Sequence, residues 1–175
     1  MDIKTKRLIL RDVKKEDTAD FVLAGNSREI NYFVWYIPYP LTMQKAKKMI
    51  KRMGEQAKSR RRRHYELAIT LKKEERVIGM INLYDMDYKG RKCKIGYWIS
   101  EAQRRKGYAE EACRAIIDFA FKKLKMHKIS GKTLMDNQAS NKLLKKLGFK
   151  KIAISREDQF IDNKFMDCYL WERIG

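Results

Sequence analysis

The sequence predicts an α+β fold, a mixed sheet with helices on both faces, from three observations. Three apolar, β-branched or aromatic runs follow one another in the middle of the chain, at Tyr65 to Leu71, Val77 to Tyr84 and Lys92 to Ile99, joined by charged turns. Apolar stripes at helical spacing lie on either side of them: Ala46, Met49, Ile50 and Met53 before, and Ala112, Ala115, Ile116, Phe119, Ala120 and Leu124 after. Further strand-like runs then return near the end. Strands in a meander, interrupted and flanked by helices, require a sheet covered on both faces.

Taken in order, the elements begin with a strand over about Thr5 to Asp12 and a helix capped by Asp17 that carries Phe21, Val22 and Ala24. Asn31 to Leu41 reads as a loop, because it holds both prolines of the chain, Pro38 and Pro40, among five aromatic residues. Trp35 and Tyr36 in that loop would serve either as a lid over an acceptor or as anchors into the core. Thr42 is placed to cap a longer helix through about Ser59. After the meander come a helix opened near Gly107, a strand at Lys128 to Thr133, a short helix capped by Asn137, and two terminal strands near Lys150 to Phe160 and Lys164 to Glu172. In the short helix Leu143, Leu144 and Leu147 form the apolar stripe, and Gly148 stands where a left-handed C-cap belongs.

The chain has 175 residues and 44% hydrophobic content, enough for one domain over 1–175 with a sizeable core. No apolar run approaches the roughly 20 residues needed to span a bilayer, and the first residues are charged, so a cytoplasmic protein with no membrane association is expected. Cys93, Cys113 and Cys168 lack metal or redox spacing, and reduced thiols are expected. His64 and His127 are the only histidines, too far apart in sequence to suggest a metal site, so no metal is expected.

The most informative stretch runs from Tyr97 to Ala109. Tyr97, Trp98 and Ile99 end a strand, with the rings of Tyr97 and Trp98 on opposite faces; Ser100 and Gln103 follow, then Arg104, Arg105, Lys106, Gly107, Tyr108 and Ala109 open a helix. A turn in which Gly107 and Ala109 carry almost no side chain lets main-chain N–H groups approach an anion, and the helix start adds partial positive charge. This is a cradle for a pyrophosphate. The Arg104-x-x-Gly107-x-Ala109 spacing is neither that of dinucleotide folds nor that of nucleoside triphosphatases.

Those residues, with Asn137, Ser140, Leu143, Gly148 and Phe149 about 30 residues on, resemble the Gcn5-related N-acetyltransferase (GNAT) superfamily, and within it the ribosomal-protein-alanine N-acetyltransferase (RimJ/RimL-like) branch. Arg7 to Arg11, Val77 to Gly79 and Ile161 to Phe165 match in the expected order, so the resemblance covers nearly the whole chain. It implies the fold of that superfamily, a central, mostly antiparallel mixed sheet of about seven strands. It also implies acetyl-CoA as co-substrate, held by Trp98, Ile99, Ser100, Gln103 to Ala109, Asn137, Ser140, Leu143 and Lys146.

The catalytic residues depart from the common pattern. Many members donate a proton from a tyrosine at the position of Leu144, which has no proton to give. The branch resemblance implies Ser140 instead, although a serine there would serve equally to satisfy a helix-start N–H or the pantetheine. Two carboxylates used as bases elsewhere in the superfamily fall on Lys94 and Gln159. Glu157 and Asp158 lie beside the latter, and in a regular strand only Glu157 would share its face. A lysine side chain is neutral at pH 7 in about one molecule in 2,500 and an α-amine in roughly one in ten, so an α-amine acceptor needs less help. The expected acceptor is therefore a protein N-terminus, with a small amine as the alternative and a non-catalytic ribosome- or RNA-binding module as a third reading.

The formal net charge of +19 bears on partners. Arg60 to Arg63 is its densest point, either a solvated helix end or an attractor for an anionic partner such as ribosomal RNA. Such a charge works against polyamines and aminoglycosides as acceptors. Sequence leaves monomer and homodimer open.

Overall fold

The computed structural model describes all residues 1–175. Eight strands form one sheet in the order β1-β2-β3-β4-β5-β6-β8-β7. They are β1 (Asp2–Lys4), β2 (Leu8–Asp12), β3 (Tyr65–Leu71), β4 (Val77–Asp87), β5 (Lys92–Ile99), β6 (Lys128–Leu134), β7 (Lys150–Ile161) and β8 (Lys164–Ile174). Every neighbouring pair is antiparallel except β5 and β6. The seven expected strands are present, and the eighth, β1, is a three-residue edge strand too short to show periodicity. Between β7 and β8, Asp162 and Asn163 both take positive φ, as a two-residue hairpin turn that follows the sheet twist requires.

Five helices cover the sheet: α1 (Thr18–Gly25), α2 (Arg28–Phe33), α3 (Met43–Ala57), α4 (Tyr108–Asp118) and α5 (Gln138–Lys146). Strand alternation divides the apolar residues between two cores. Leu67, Ile69, Ile81, Leu83 and Ile95 pack on one face against Ala112, Cys113, Ile116 and Ile117 of α4 and Leu144 of α5. On the other face Ala68, Met80 and Trp98 pack against Phe21 of α1, Ile30 of α2 and Ala46, Ile50 and Met53 of α3.

Local chemistry explains most boundaries. Thr42 accepts the Lys45 N–H at 3.3 Å at the start of α3, and Asn137 accepts the Ser140 N–H at 3.1 Å at the start of α5. Gly148 at φ 82° lets the Phe149 N–H reach the Leu144 carbonyl, which closes α5 in a left-handed cap. Two expectations are corrected. Asp17 stands at the start of α1 but does not cap it: its carboxylate takes both terminal nitrogens of Arg11 at 2.8 Å, because both groups are buried and a bidentate ion pair satisfies more lone pairs than one cap would. The loop expected from Asn31 begins later, since Ser27 caps the six-residue α2, whose single buried residue, Ile30, leaves no stripe to read. The stripe that runs on to Leu124 is also explained: past Asp118 the helix widens into a π turn, Phe119 to Lys123.

One feature of the sheet makes the site. β5 and β6 pair only at Lys92 to Lys94 with Lys128 to Ser130. Beyond that β5 stays bonded to β4 as far as Ile99, and β6 stays bonded to β8 as far as Leu134. The two strands therefore part in the middle of the sheet and open a wedge.

Candidate active site

A cavity of about 1190 Å³ fills that wedge, with Ile95 to Ile99 on one wall and Lys132 to Leu134 on the other. Its floor at one end is the turn between β5 and α4. Arg105 sits at φ 60° and Gly107 at φ 78°, and this alternation of left-handed residues turns successive N–H groups to one side, the geometry of an anion-binding nest. The N–H groups of Arg105, Lys106, Gly107, Tyr108, Ala109 and Glu110 make no hydrogen bond within the protein. Those of Gln103 and Arg104 do, to the carbonyls of Ser100 and Glu101, so the cradle begins two residues later than the sequence suggests.

A brace from the first hairpin holds this turn. The Glu111 carboxylate accepts from the Thr5 hydroxyl at 2.6 Å, the Arg7 N–H at 2.7 Å and Arg7 Nε at 2.6 Å. Arg7 also donates to the Lys106 carbonyl at 2.9 Å and stacks over Tyr108 at 4.6 Å. Burial pushes the Glu111 carboxyl up, but the bonds from Thr5 and Arg7 outweigh it and hold the group below its ordinary value. Arg7 was read from sequence only as a family match; its contact with the turn depends on β2 lying beside α4.

Of the residues expected to hold the coenzyme, Trp98, Ile99, Gln103, Arg104, Arg105, Gly107, Tyr108, Ala109, Asn137, Ser140 and Leu143 lie on the cavity wall. Ser100, Lys106 and Lys146 lie outside it. Ion pairs and one hydrogen bond to a neutral amide explain where several cations point: Arg104 meets Glu29 at 2.7 Å, Lys146 meets Glu110 at 2.6 Å, and Lys106 donates to the Gln103 amide oxygen at 2.9 Å. Arg105 has no carboxylate partner and faces the cleft. Trp98 is buried in the second core, edge-on to Phe21, so it contributes to the wall from below.

Ser140 reaches the wall from the first turn of α5, held there by the Asn137 cap. Leu144 one turn on is buried in the first core. Tyr97, which the sequence offers with Trp98 as a pair of rings, one for the core and one for the acceptor side, stands near Ser140, and its hydroxyl is sealed from solvent with no hydrogen-bond partner. Burial pushes this phenol far above its ordinary value, with Ser140 working weakly against the rise, so it stays protonated. Alternation placed Tyr97 and Trp98 on opposite faces, but only the parting of β5 from β6 shows that both faces meet the cleft.

The expected strand parity at Gln159 fails. β7 bulges between Ser155 and Gln159, with Glu157 at φ 48°, so Gln159 lines the cavity while Glu157 is exposed outside it. Asp158 is engaged by Lys132 at 2.5 Å, Ser155 at 2.7 Å and Gln159 at 2.8 Å. Burial opposes ionisation there, and the three donors overcome it and hold the carboxyl well below its ordinary value. Such a group is a poor base. Lys94 pairs with Asp85 at 3.0 Å.

At the other end the wall is aromatic. Tyr36 is half-buried and takes a hydrogen bond from Asn82 Nδ2 at 2.9 Å, while Trp35, 72% exposed, packs edge-on against it. One residue of the pair is thus an anchor and the other a rim. A clasp crosses the mouth, where the Tyr32 hydroxyl donates to Asp136 at 2.8 Å.

The site is thus a wedge between two parted strands with an anion nest at the start of the helix that follows. Residues 7–150 match the acetyltransferase (GNAT) domain family, and the chain belongs to it. The protein is thus an acetyl-CoA-dependent N-acetyltransferase. It is 26% identical over 167 residues to the uncharacterized N-acetyltransferase p20 of Bacillus licheniformis, which covers 95% of this chain and 92% of that one. To the ribosomal-protein-serine acetyltransferase of Escherichia coli (strain K12) it is 25% identical over 112 residues, 64% of this chain and 63% of that one. Two solved structures share the fold. One is RimL, a ribosomal L7/L12 alpha-N-protein acetyltransferase in complex with coenzyme A, with TM-score 0.86 at 15% identity over 99% of this chain and 98% of that chain. The other is a spermidine N-acetyltransferase from Vibrio cholerae in complex with CoA and spermine, with TM-score 0.82 at 19% identity over 95% of each chain.

Proposed function

We propose that this enzyme acetylates the N-terminal α-amine of a protein, a ribosomal protein foremost. The observation that carries the coenzyme half of this reading is the run of unpartnered N–H groups from Arg105 to Glu110, which offers the diphosphate of acetyl-CoA a set of main-chain donors at a helix start. Arg105 adds a full charge. Asn137, Ser140 and Leu143 line the opposite side along the pantetheine path.

Support for an α-amine comes from the lack of an unpaired carboxylate: those lining the cleft, Glu66 included, are each held by a cation. Gln159 and Lys94 stand where strong bases would serve a lysine side chain, and Asp158 is committed to three donors. An amine that is partly neutral at pH 7 tolerates such a site. Ser140 is the proton donor to the departing thiolate in this reading, and the protonated Tyr97 phenol near it is the second candidate. The charge of +19 favours approach to an anionic assembly and repels polycations, which weighs against a spermidine-like acceptor.

Calorimetry with coenzyme A, followed by an acceptor panel of a peptide with a free amino-terminal serine, the same peptide blocked at its N-terminus but carrying a lysine, and spermine, tests the proposal. Turnover of the free N-terminus above the others is expected; exclusive acetylation of the lysine side chain or of spermine would reject it.

A further inference from the structure

Below the aromatic wall, two strands present acceptors without donors. Glu66 of β3 and Asn82 of β4 are register partners, so their side chains leave the sheet on the same face, and both line the cleft. Glu66 Oε1 accepts from Arg52 at 2.9 Å, and Asn82 Nδ2 donates to the Tyr36 hydroxyl at 2.9 Å. Those contacts use up one end of each group. The other ends, Glu66 Oε2 and Asn82 Oδ1, are sealed from solvent and have no hydrogen-bond partner. Asn82 is only 7% exposed. A buried acceptor left unpaired is costly, and more so on a carboxylate, so a neighbouring pair of them in a cavity wall calls for a ligand rich in N–H groups.

Resting on the acetyltransferase reading above, we infer that Glu66 Oε2 and Asn82 Oδ1 together receive the primary amine of the acceptor and that Glu66 takes its first proton. A primary ammonium supplies a hydrogen to each oxygen. Arg52 already shares the Glu66 charge, so the subsite balances a single ammonium and not a polyamine, and the exposed Trp35 beside Tyr36 gives the rest of the acceptor an apolar rim. The amine gives up two protons in the reaction. One passes to Glu66 and on to solvent; its lone pair then forms the N–C bond to the thioester carbonyl. As the C–S bond breaks, the second proton leaves nitrogen and the thiolate sulfur is protonated, giving amide and free thiol. Sequence reading missed this pair because Glu66 and Asn82 are alternating polar positions in strands, indistinguishable there from solvent-facing ones.

Steady-state kinetics of the full chain with acetyl-CoA and the serine-initiated peptide, together with coenzyme A calorimetry, tests the inference on Glu66→Gln, Asn82→Leu and Asn82→Asp. Glu66→Gln is expected to lower kcat/KM for the peptide about 100-fold with Kd for coenzyme A unchanged, the usual scale of a lost general base. Asn82→Leu should lower it about tenfold, mainly in peptide KM, and Asn82→Asp, which keeps an acceptor oxygen but gives up the donor to Tyr36, should lose less than Asn82→Leu. Coenzyme binding at the wild-type Kd also reports that each variant is folded. Wild-type kcat/KM in Glu66→Gln, or equal losses in Asn82→Leu and Asn82→Asp, would overturn the inference while leaving the acetyltransferase reading intact. Failure of the wild-type protein to bind coenzyme A would instead overturn that reading, and this inference with it.

Discussion

Gly107 shows how much one residue decides. Its φ of 78° is a conformation that side chains resist by roughly 1–2 kcal/mol, and a Cβ would sit 3.3 Å from an Arg7 nitrogen. Gly107→Ala is therefore expected to weaken coenzyme A binding about tenfold, measured by calorimetry, and to lower Tm by a few degrees, since the strain is carried in the free protein as well. Two hydroxyls make a second prediction at this scale. If Ser140 protonates the thiolate, Ser140→Ala should cut kcat about 100-fold with peptide KM little changed, while Tyr97→Phe stays within a few fold; the reverse order would assign the proton to the Tyr97 phenol. Ser140 was legible only through the family resemblance that Asn137, Ser140 and Gly148 carry. Tyr97 was legible only as half of a pair, one ring for the core and one for the acceptor side, because a strand residue gives no sign that its neighbour strand has peeled away.

The start of α4 and the β1–β2 hairpin act as one element through Glu111. Its carboxylate is held below the ordinary value near 4.5, so it contributes stability above that pH, and the contribution is lost as pH falls through the lowered folded value. Glu111→Gln should therefore lower stability at neutral pH by about 2 kcal/mol, seen as a fall of roughly 4–8 °C in Tm, and the gap to wild type should close as the medium is acidified well below 4.5. A Tm difference that stays constant down to strongly acid conditions would contradict this account. The Arg60 to Arg63 run is likewise an element held by contacts and not merely a solvated end. Arg62 grips Asp12 through both nitrogens at 2.6 and 2.9 Å, and Arg61 stacks over Tyr88 at 4.8 Å, which leaves Arg60 and Arg63 exposed. Charge density was readable in the sequence; which arginines are committed was not, since their partners lie up to 50 residues away.

Across the whole molecule the charge of +19 sets the long-range field. Attraction to a polyanion should fall steeply with salt, because each neutralised phosphate releases counterions. Binding of fluorescent ribosomal RNA fragments, followed from low to physiological ionic strength, is expected to show a log–log slope that becomes shallower by about two units in the Arg60→Ala, Arg63→Ala double variant. An unchanged slope would remove this loop from any RNA contact. Catalysis on a free peptide should not depend on those two residues, since neither lines the cleft beside His64.

The sequence alone determined the strand meander, the helix caps at Thr42, Asn137 and Gly148, and the anion cradle around Gly107, because each depends on residues within a few positions of one another. Hydrophobic period, capping chemistry and the need for positive φ are local, and local physics is written in local sequence. Only the tertiary structure decided that β5 and β6 part after Lys94, that Arg7 and Glu111 lock the cradle, and that Glu66, Asn82 and Tyr36 share one wall. Those outcomes join residues tens of positions apart, and a polar residue in a strand carries no mark of whether it faces water or a buried cleft until the sheet has folded around it.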